Sequence, residues 1–130
     1  MTPSEKNAPQ IVCLVDDDSA VLRSIGRLLA SDGLSARLFD QPKDFLAYVR
    51  TNAVPLVVLD LLMGEMNGLE VQERITALSP RTRVIIITGR EDSKMKGAVL
   101  RAGAVAFFSK PFDDREFLGA VRAALAVQIQ

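Results

Sequence analysis

The sequence predicts a three-layer α/β domain: a doubly wound, open five-stranded parallel sheet with helices on both faces. Three observations predict it. Short apolar runs alternate strictly with longer segments whose apolar residues recur at helical spacing. Strands joined by single helices must run parallel, because each helix carries the chain back along the sheet, and right-handed crossovers then distribute the helices between the two faces. Size is the third: 130 residues, 48% of them hydrophobic, can build one core without disulfides or structural metal. There is no internal repeat, low-complexity linker or second set of elements in the sequence.

The first ten residues, MTPSEKNAPQ, are polar with two prolines and read as a flexible tail at 1–10, leaving 11–127 for the domain. "IVCLV" from Ile11 is the first strand. After Asp16, Asp17 and Asp18, Ser19 is the expected N-cap of a helix with a core stripe of Leu22, Ile25 and Leu29 and a stop at Gly33. "LSARLF" from Leu34 is the second strand, and Pro42 sits in the first turn of the next helix. "LVVL" from Leu56 is the third, followed by the helical stripe Val71, Ile75 and Leu78. "RVIII" from Arg83 is the fourth. The helix after it, Ser93 to Ala102, contains Gly97 at a cost of about 1 kcal/mol relative to alanine, so it is expected to be less rigid than its neighbours, and Gly103 stops it. "VAFF" from Val105 is the fifth strand, and Phe117, Leu118, Val121 and Leu125 stripe the closing helix. All five strands are expected to be buried on both faces.

Lys and Arg total 16 and so do Asp and Glu, so no global field draws the chain to nucleic acid or to an acidic membrane. Any charge-based function is local. No apolar run approaches membrane-spanning length and the N-terminus lacks the apolar stretch of a secretory signal, which makes the cytoplasm the expected location. The single cysteine, Cys13, lies in an apolar run and suits a reducing compartment and a plain core role. Histidine is absent, which removes imidazole acid/base catalysis, the Ser/His/Asp and Cys/His triads and every His-containing metal site.

In open α/β sheets ligands bind beyond the carboxyl ends of the strands. Those ends carry Asp16, Asp17 and Asp18 after the first strand, Asp60 after the third, Thr88 after the fourth, and Lys110 with Pro111 after the fifth. Singly, each has an ordinary explanation: an acid before a helix caps it, and a lysine at a sheet edge is solvated. Together they make a hard-oxygen cation site facing a positive group. Two carboxylates about 4 Å apart repel by roughly 4 kcal/mol at an effective dielectric near 20, so the cluster calls for a divalent cation, and an all-oxygen donor set selects Mg2+. Asp60 is then a carboxylate nucleophile toward an electrophilic phosphorus, with Lys110 sharing the phosphoryl charge and the Thr88 hydroxyl donating to a phosphoryl oxygen. Small Gly89 beside Thr88 leaves room for the group.

"VDDD", "VVLDLLMGEMNGLE", "IIITG" and "FFSKPF", in this order and spacing, closely resemble the receiver domain of bacterial two-component response regulators over roughly Ile11 to Val127. The resemblance implies a flavodoxin-like fold with strand order 2-1-3-4-5, Mg2+, and phosphoryl transfer to Asp60 from a phosphohistidine on a sensor histidine kinase or phosphotransfer protein. By position, Asp17 resembles the direct metal ligand, Asp16 its neighbour acting largely through water, and the backbone carbonyl of Leu62 the remaining protein ligand. Lys110 resembles the family's ammonium, and its bond to Pro111 is usually cis in that family. Thr88 and Phe107 match the hydroxyl and aromatic that move together on phosphorylation, biasing the surface of the fourth helix, fifth strand and fifth helix through which relatives form homodimers. The missing histidine fits, since it arrives on the partner. The chain departs from the family at Gly64, commonly proline, and at Leu62, where many relatives carry a polar or basic side chain and where acyl-phosphate lifetime is open.

Two rival readings stand beside this one. A haloacid-type Mg2+-dependent phosphatase also uses a strand-end aspartate, but it resembles Asp-x-Asp with a general acid two residues on, where this chain has Leu62. A flavin- or nucleotide-binding module of the same fold would want a glycine-rich first turn instead of "DDDSA", and a lone Tyr48 with no Trp offers a flavin little to stack on. The expectation is therefore a phosphoacceptor signalling domain whose only catalysis is of its own phosphorylation and dephosphorylation. Neither direct nucleic-acid binding nor membrane attachment is expected; no DNA-binding element follows the last helix, so the receiver either acts alone, as a diffusible signal or phosphoryl sink, or belongs to a larger regulator.

Overall fold

The structure, a computed structural model, describes residues 10–63, 67–89 and 93–129. Gly64 lies outside the described residues. Strands β1 (Ile11–Val15), β2 (Ser35–Phe39), β3 (Leu56–Asp60), β4 (Arg83–Thr88) and β5 (Ala106–Ser109) alternate with helices α1 (Ser19–Ser31), α2 (Pro42–Thr51), α3 (Gly68–Leu78), α4 (Ser93–Arg101) and α5 (Asp114–Ile129). The sheet order is β2-β1-β3-β4-β5 and every pair is parallel, the doubly wound architecture expected. Among the described residues no helix is long and apolar enough to cross a membrane.

Side-chain alternation along the strands divides the core in two. Cys13, Val15, Val57, Leu59, Val84 and Ile86 point to one face, where they meet Phe45, Val49, Val71, Ile75 and Val99 of α2, α3 and α4. Val12, Leu14, Leu56, Val58, Ile85 and Ile87 point to the other and meet Leu22, Ile25, Leu29, Phe117, Val121 and Leu125 of α1 and α5. Burial on both faces holds for β1, β3 and β4 but not for the two edges. Ser35, Arg37 and Leu38 of β2 are exposed and β5 is only half-buried, because a strand with one neighbour lies beyond the full cover of the helical layers.

The helix boundaries carry one correction. The N-cap of α1 is Asp18, not Ser19: its carboxylate accepts from the backbone N–H of Ala20 at 2.9 Å and of Val21 at 3.4 Å, and Ser19 becomes the first helical residue. Gly33 and Gly103, at φ +79° and +110°, end α1 and α4 in the left-handed region that excludes most side chains. Leu78, expected in the core stripe of α3, is exposed at the end of that helix, past the reach of the sheet.

Candidate functional site

The strand register sets the rim. Val15 pairs with Leu59 and Asp60 with Ile87, so Asp16 and Asp60 leave neighbouring central strands at the same level. Directly after Asp60, the Leu61 N–H donates to the Ile87 carbonyl at 2.8 Å and the Leu61 carbonyl accepts from the Gly68 N–H at 2.6 Å. The start of α3 is thereby seated on the backbone that carries Asp60. A Cβ at position 68 would lie 2.8 Å from the Leu61 Cα and 3.0 Å from the Asp60 carbonyl oxygen, so only glycine permits this approach. Glycine in a first helical turn sacrifices propensity, and that was the sequence signal for a close backbone contact.

The carboxylates converge. Asp16 is 1% exposed; one of its oxygens accepts from the Asp18 N–H at 2.9 Å and the other from Lys110 Nζ at 3.1 Å. Lys110 Nζ also stands 3.9 Å from Asp60 Oδ1, and the Lys110 backbone N–H is tied to the Thr88 carbonyl at 2.7 Å. The Lys110–Pro111 bond is cis. Exposed Asp17 completes a triad with Asp16 and Asp60, each offering an oxygen within 4.8 Å of the others. Among the described residues Lys110 is the ion-pair partner of Asp16 and Asp60, and Asp17 adds a third carboxylate to this partly desolvated corner. Burial pushes the Asp60 carboxyl up from 3.8 to about 6, the charges of Asp16 and Asp17 add to the push, and Lys110 and a hydrogen bond from the Leu62 backbone oppose it. All-oxygen donors with uncompensated charge fit a hard divalent cation.

Three expected site residues do not join that cluster in the same way. Thr88 is wholly buried and shares the face of Val84 and Ile86, the α4 side of the sheet. Phe107, paired with Ile86 while Thr88 pairs with Ser109, is the same-face diagonal neighbour of Thr88. It is half-buried, with Lys96 Nζ of α4 at 5.6 Å from its ring centroid. Leu62, two residues past Asp60, is 50% exposed.

The response regulator receiver domain matches residues 12–122, nearly the whole described chain. This chain belongs to that family. The receiver is 41% identical over 120 residues to the response regulator protein TodT of Pseudomonas putida, covering 92% of this chain and 53% of that protein. It spans about half the length of the curated relatives it matches. Among solved structures, a CheY-like receiver domain from Methanospirillum hungatei superposes with a TM-score of 0.86 at 27% identity, covering 93% of this chain and 97% of that one. The beryllofluoride-activated NtrC4 receiver domain dimer gives 0.85 at 26% identity, covering 89% and 96%. Two residues with structural parts in this receiver escaped the sequence reading: Gly68, and Gln72, a polar residue of α3 that is 1% exposed and donates through Nε2 to the Val99 carbonyl of α4 at 2.9 Å.

Proposed function

We propose that this receiver, over 11–127, accepts a phosphoryl group on Asp60 from the phosphohistidine of a sensor histidine kinase or phosphotransfer protein. An Asp60 carboxylate oxygen bonds to phosphorus, the phosphorus–nitrogen bond breaks, and its electron pair returns to the donor's imidazole. Asp16, Asp17 and Asp60, with the Leu62 backbone carbonyl, would hold Mg2+, which neutralises the carboxylates and the transferring phosphoryl oxygens. Lys110 stays on Asp16 before transfer and turns its ammonium to a phosphoryl oxygen after it, a shift permitted by its 3.9 Å separation from Asp60. The Thr88 hydroxyl donates to another phosphoryl oxygen. Because Thr88 and Phe107 share one sheet face, drawing Thr88 toward Asp60 opens space for the ring and shifts the surface of α4, β5 and α5. That surface is the proposed homodimer contact, in keeping with the dimer described for the NtrC4 receiver. The domain acts in the cytoplasm, makes no direct contact with nucleic acid, and catalyses only its own phosphorylation and dephosphorylation.

The support is one observation: Asp16, Asp17 and Asp60 each offer a carboxylate oxygen within 4.8 Å of the others at the carboxyl end of the sheet, with Lys110 Nζ paired to Asp16 and 3.9 Å from Asp60. A phosphatase of the haloacid type would need a proton donor two residues past the nucleophile, where apolar Leu62 stands. The test is to incubate the protein with acetyl phosphate and Mg2+ and weigh it beside Asp60→Asn. One phosphoryl group on the wild type and none on the variant is expected; equal incorporation in both removes Asp60 as acceptor.

A further inference from the structure

We propose that the groove between α2 and α3 docks an acidic amphipathic helix of a partner protein. This surface belongs to neither the carboxylate site nor the α4, β5 and α5 face. The two helices pack side by side and enclose a groove of about 620 Å³. Its floor is apolar, made by Leu46 and Ala47 of α2 and by Ala77 and Leu78 of α3. The two alanines end at Cβ and let an incoming backbone approach closely, while Leu78, 39% exposed, offers a side chain with no core to fill.

Charge complementarity names the occupant. Three cations line the groove, Lys43 and Arg50 on one wall and Arg74 on the other, and no acid does. Among the described residues none of the three has a carboxylate within ion-pair distance. In a chain with equal numbers of acids and bases, the groove is a local basic rim. Nor does helix stability account for Lys43, which stands in the first turn of α2 where the macrodipole disfavours a cation. Lys43 and Arg50 are seven residues apart, about 10 Å along the axis, the rise of two helical turns. A helix lying in the groove would therefore meet them with carboxylates at i and i+7 on one flank, and meet Arg74 with one near i+2 or i+5 on the other, around an apolar stripe facing the groove floor. A concave apolar floor fits a helix better than it fits a flat lipid surface.

The probe is a labelled synthetic helix with that acid spacing and a leucine/alanine stripe, titrated with the full chain and read by fluorescence anisotropy. Saturable binding is expected, weakened by added salt and reduced about tenfold or more in a Lys43→Glu, Arg50→Glu, Arg74→Glu triple variant. Leu78→Ser, which keeps the charges, should also weaken it. All four positions are at the surface, and unchanged unfolding midpoints would verify that the variants fold. Absent binding, equal binding of a peptide with the same charge but a scrambled apolar stripe, or no loss in the triple variant overturns the proposal. So does tighter binding of phosphatidylserine vesicles through the same three cations, which would assign the groove to a membrane. Self-association abolished by the triple variant would assign it to a second copy and equally overturn it. Phosphoryl uptake by the triple variant should match the wild type, so failure here is separable from failure of the Asp60 assignment.

Discussion

The two ends of the sheet treat buried polar groups in opposite ways. At the amino end, Thr82 is buried just before β4, and its hydroxyl donates to the Val54 carbonyl at 2.8 Å and lies 2.7 Å from the Ser79 hydroxyl. Both hydroxyls there are hydrogen-bonded within the fold. At the carboxyl end, Asp16 and Asp60 are as deeply buried, but among the described residues both depend on the Lys110 ammonium, with the Asp17 carboxylate beside them. That deficit costs stability, and a fold does not keep such a cost without another use for it. The comparison separates a structural polar cluster from a functional one by whether its charges are matched.

Removing the Lys110 ammonium should have the largest effect. Lys110→Met leaves Asp16 buried without its 3.1 Å partner, and urea unfolding at pH 7 without divalent cations should show a loss of about 3 kcal/mol. Added Mg2+ should restore part of it by binding the folded state alone. A loss unaffected by Mg2+ would mean that charge imbalance is not what distinguishes this end.

The converse substitution should stabilise. Asp60 is raised in the folded state to about 6 from 3.8, so the folded protein holds the proton more tightly than the unfolded chain, and wild-type stability falls as pH rises through that window. Asp60→Asn has no such proton. It should match the wild type below pH about 4 and exceed it by about 3 kcal/mol above pH about 6 in metal-free buffer. A pH-independent difference, measured by denaturation across that range, would contradict the account. At the other end, Thr82→Val should cost about 1–2 kcal/mol at every pH and be indifferent to Mg2+, as expected of hydrogen bonds that serve only the fold.

Which residues reach the carboxyl end was legible, because period-two alternation and parallel crossovers fix where each strand leaves the sheet. Asp16, Asp60 and Lys110 needed nothing more. The choice between Asp18 and Ser19 as cap was not legible, since both are good caps and the outcome depends on Asp16 accepting from the Asp18 N–H. Leu78 looked like core because helical periodicity does not say where the sheet beneath a helix ends. The burial of Thr88 and the exposure of Leu38 are likewise matters of layer coverage, which no local pattern records. Gln72 carried no signal of burial in the sequence. Its burial is decided by α4 lying across it, a tertiary fact.

Gln72 stands between the two regimes, and the smallest expected effect belongs to it. Its Nε2 donates to the Val99 carbonyl, but its Oε1 is buried without a partner. Val99 is the buried residue of α4 in the core, so this amide is a large part of what joins α4 to α3. Methionine at 72 would remove a bond contributing about 0.5–1.5 kcal/mol together with an orphan oxygen costing about 1–3 kcal/mol, while the Val99 carbonyl would keep its 3.0 Å bond from the Ala104 N–H. Gln72→Met should therefore leave global stability within about 1 kcal/mol of wild type. Amide exchange should nevertheless rise across 93–101 and stay unchanged in α1, which is anchored by Leu22, Ile25 and Leu29. If exchange rose equally in both helices, Gln72 would be an ordinary core residue. If it rose in α4 alone, a half-satisfied amide would be the tether that holds α4 to α3, loosely enough for the shift proposed on phosphorylation.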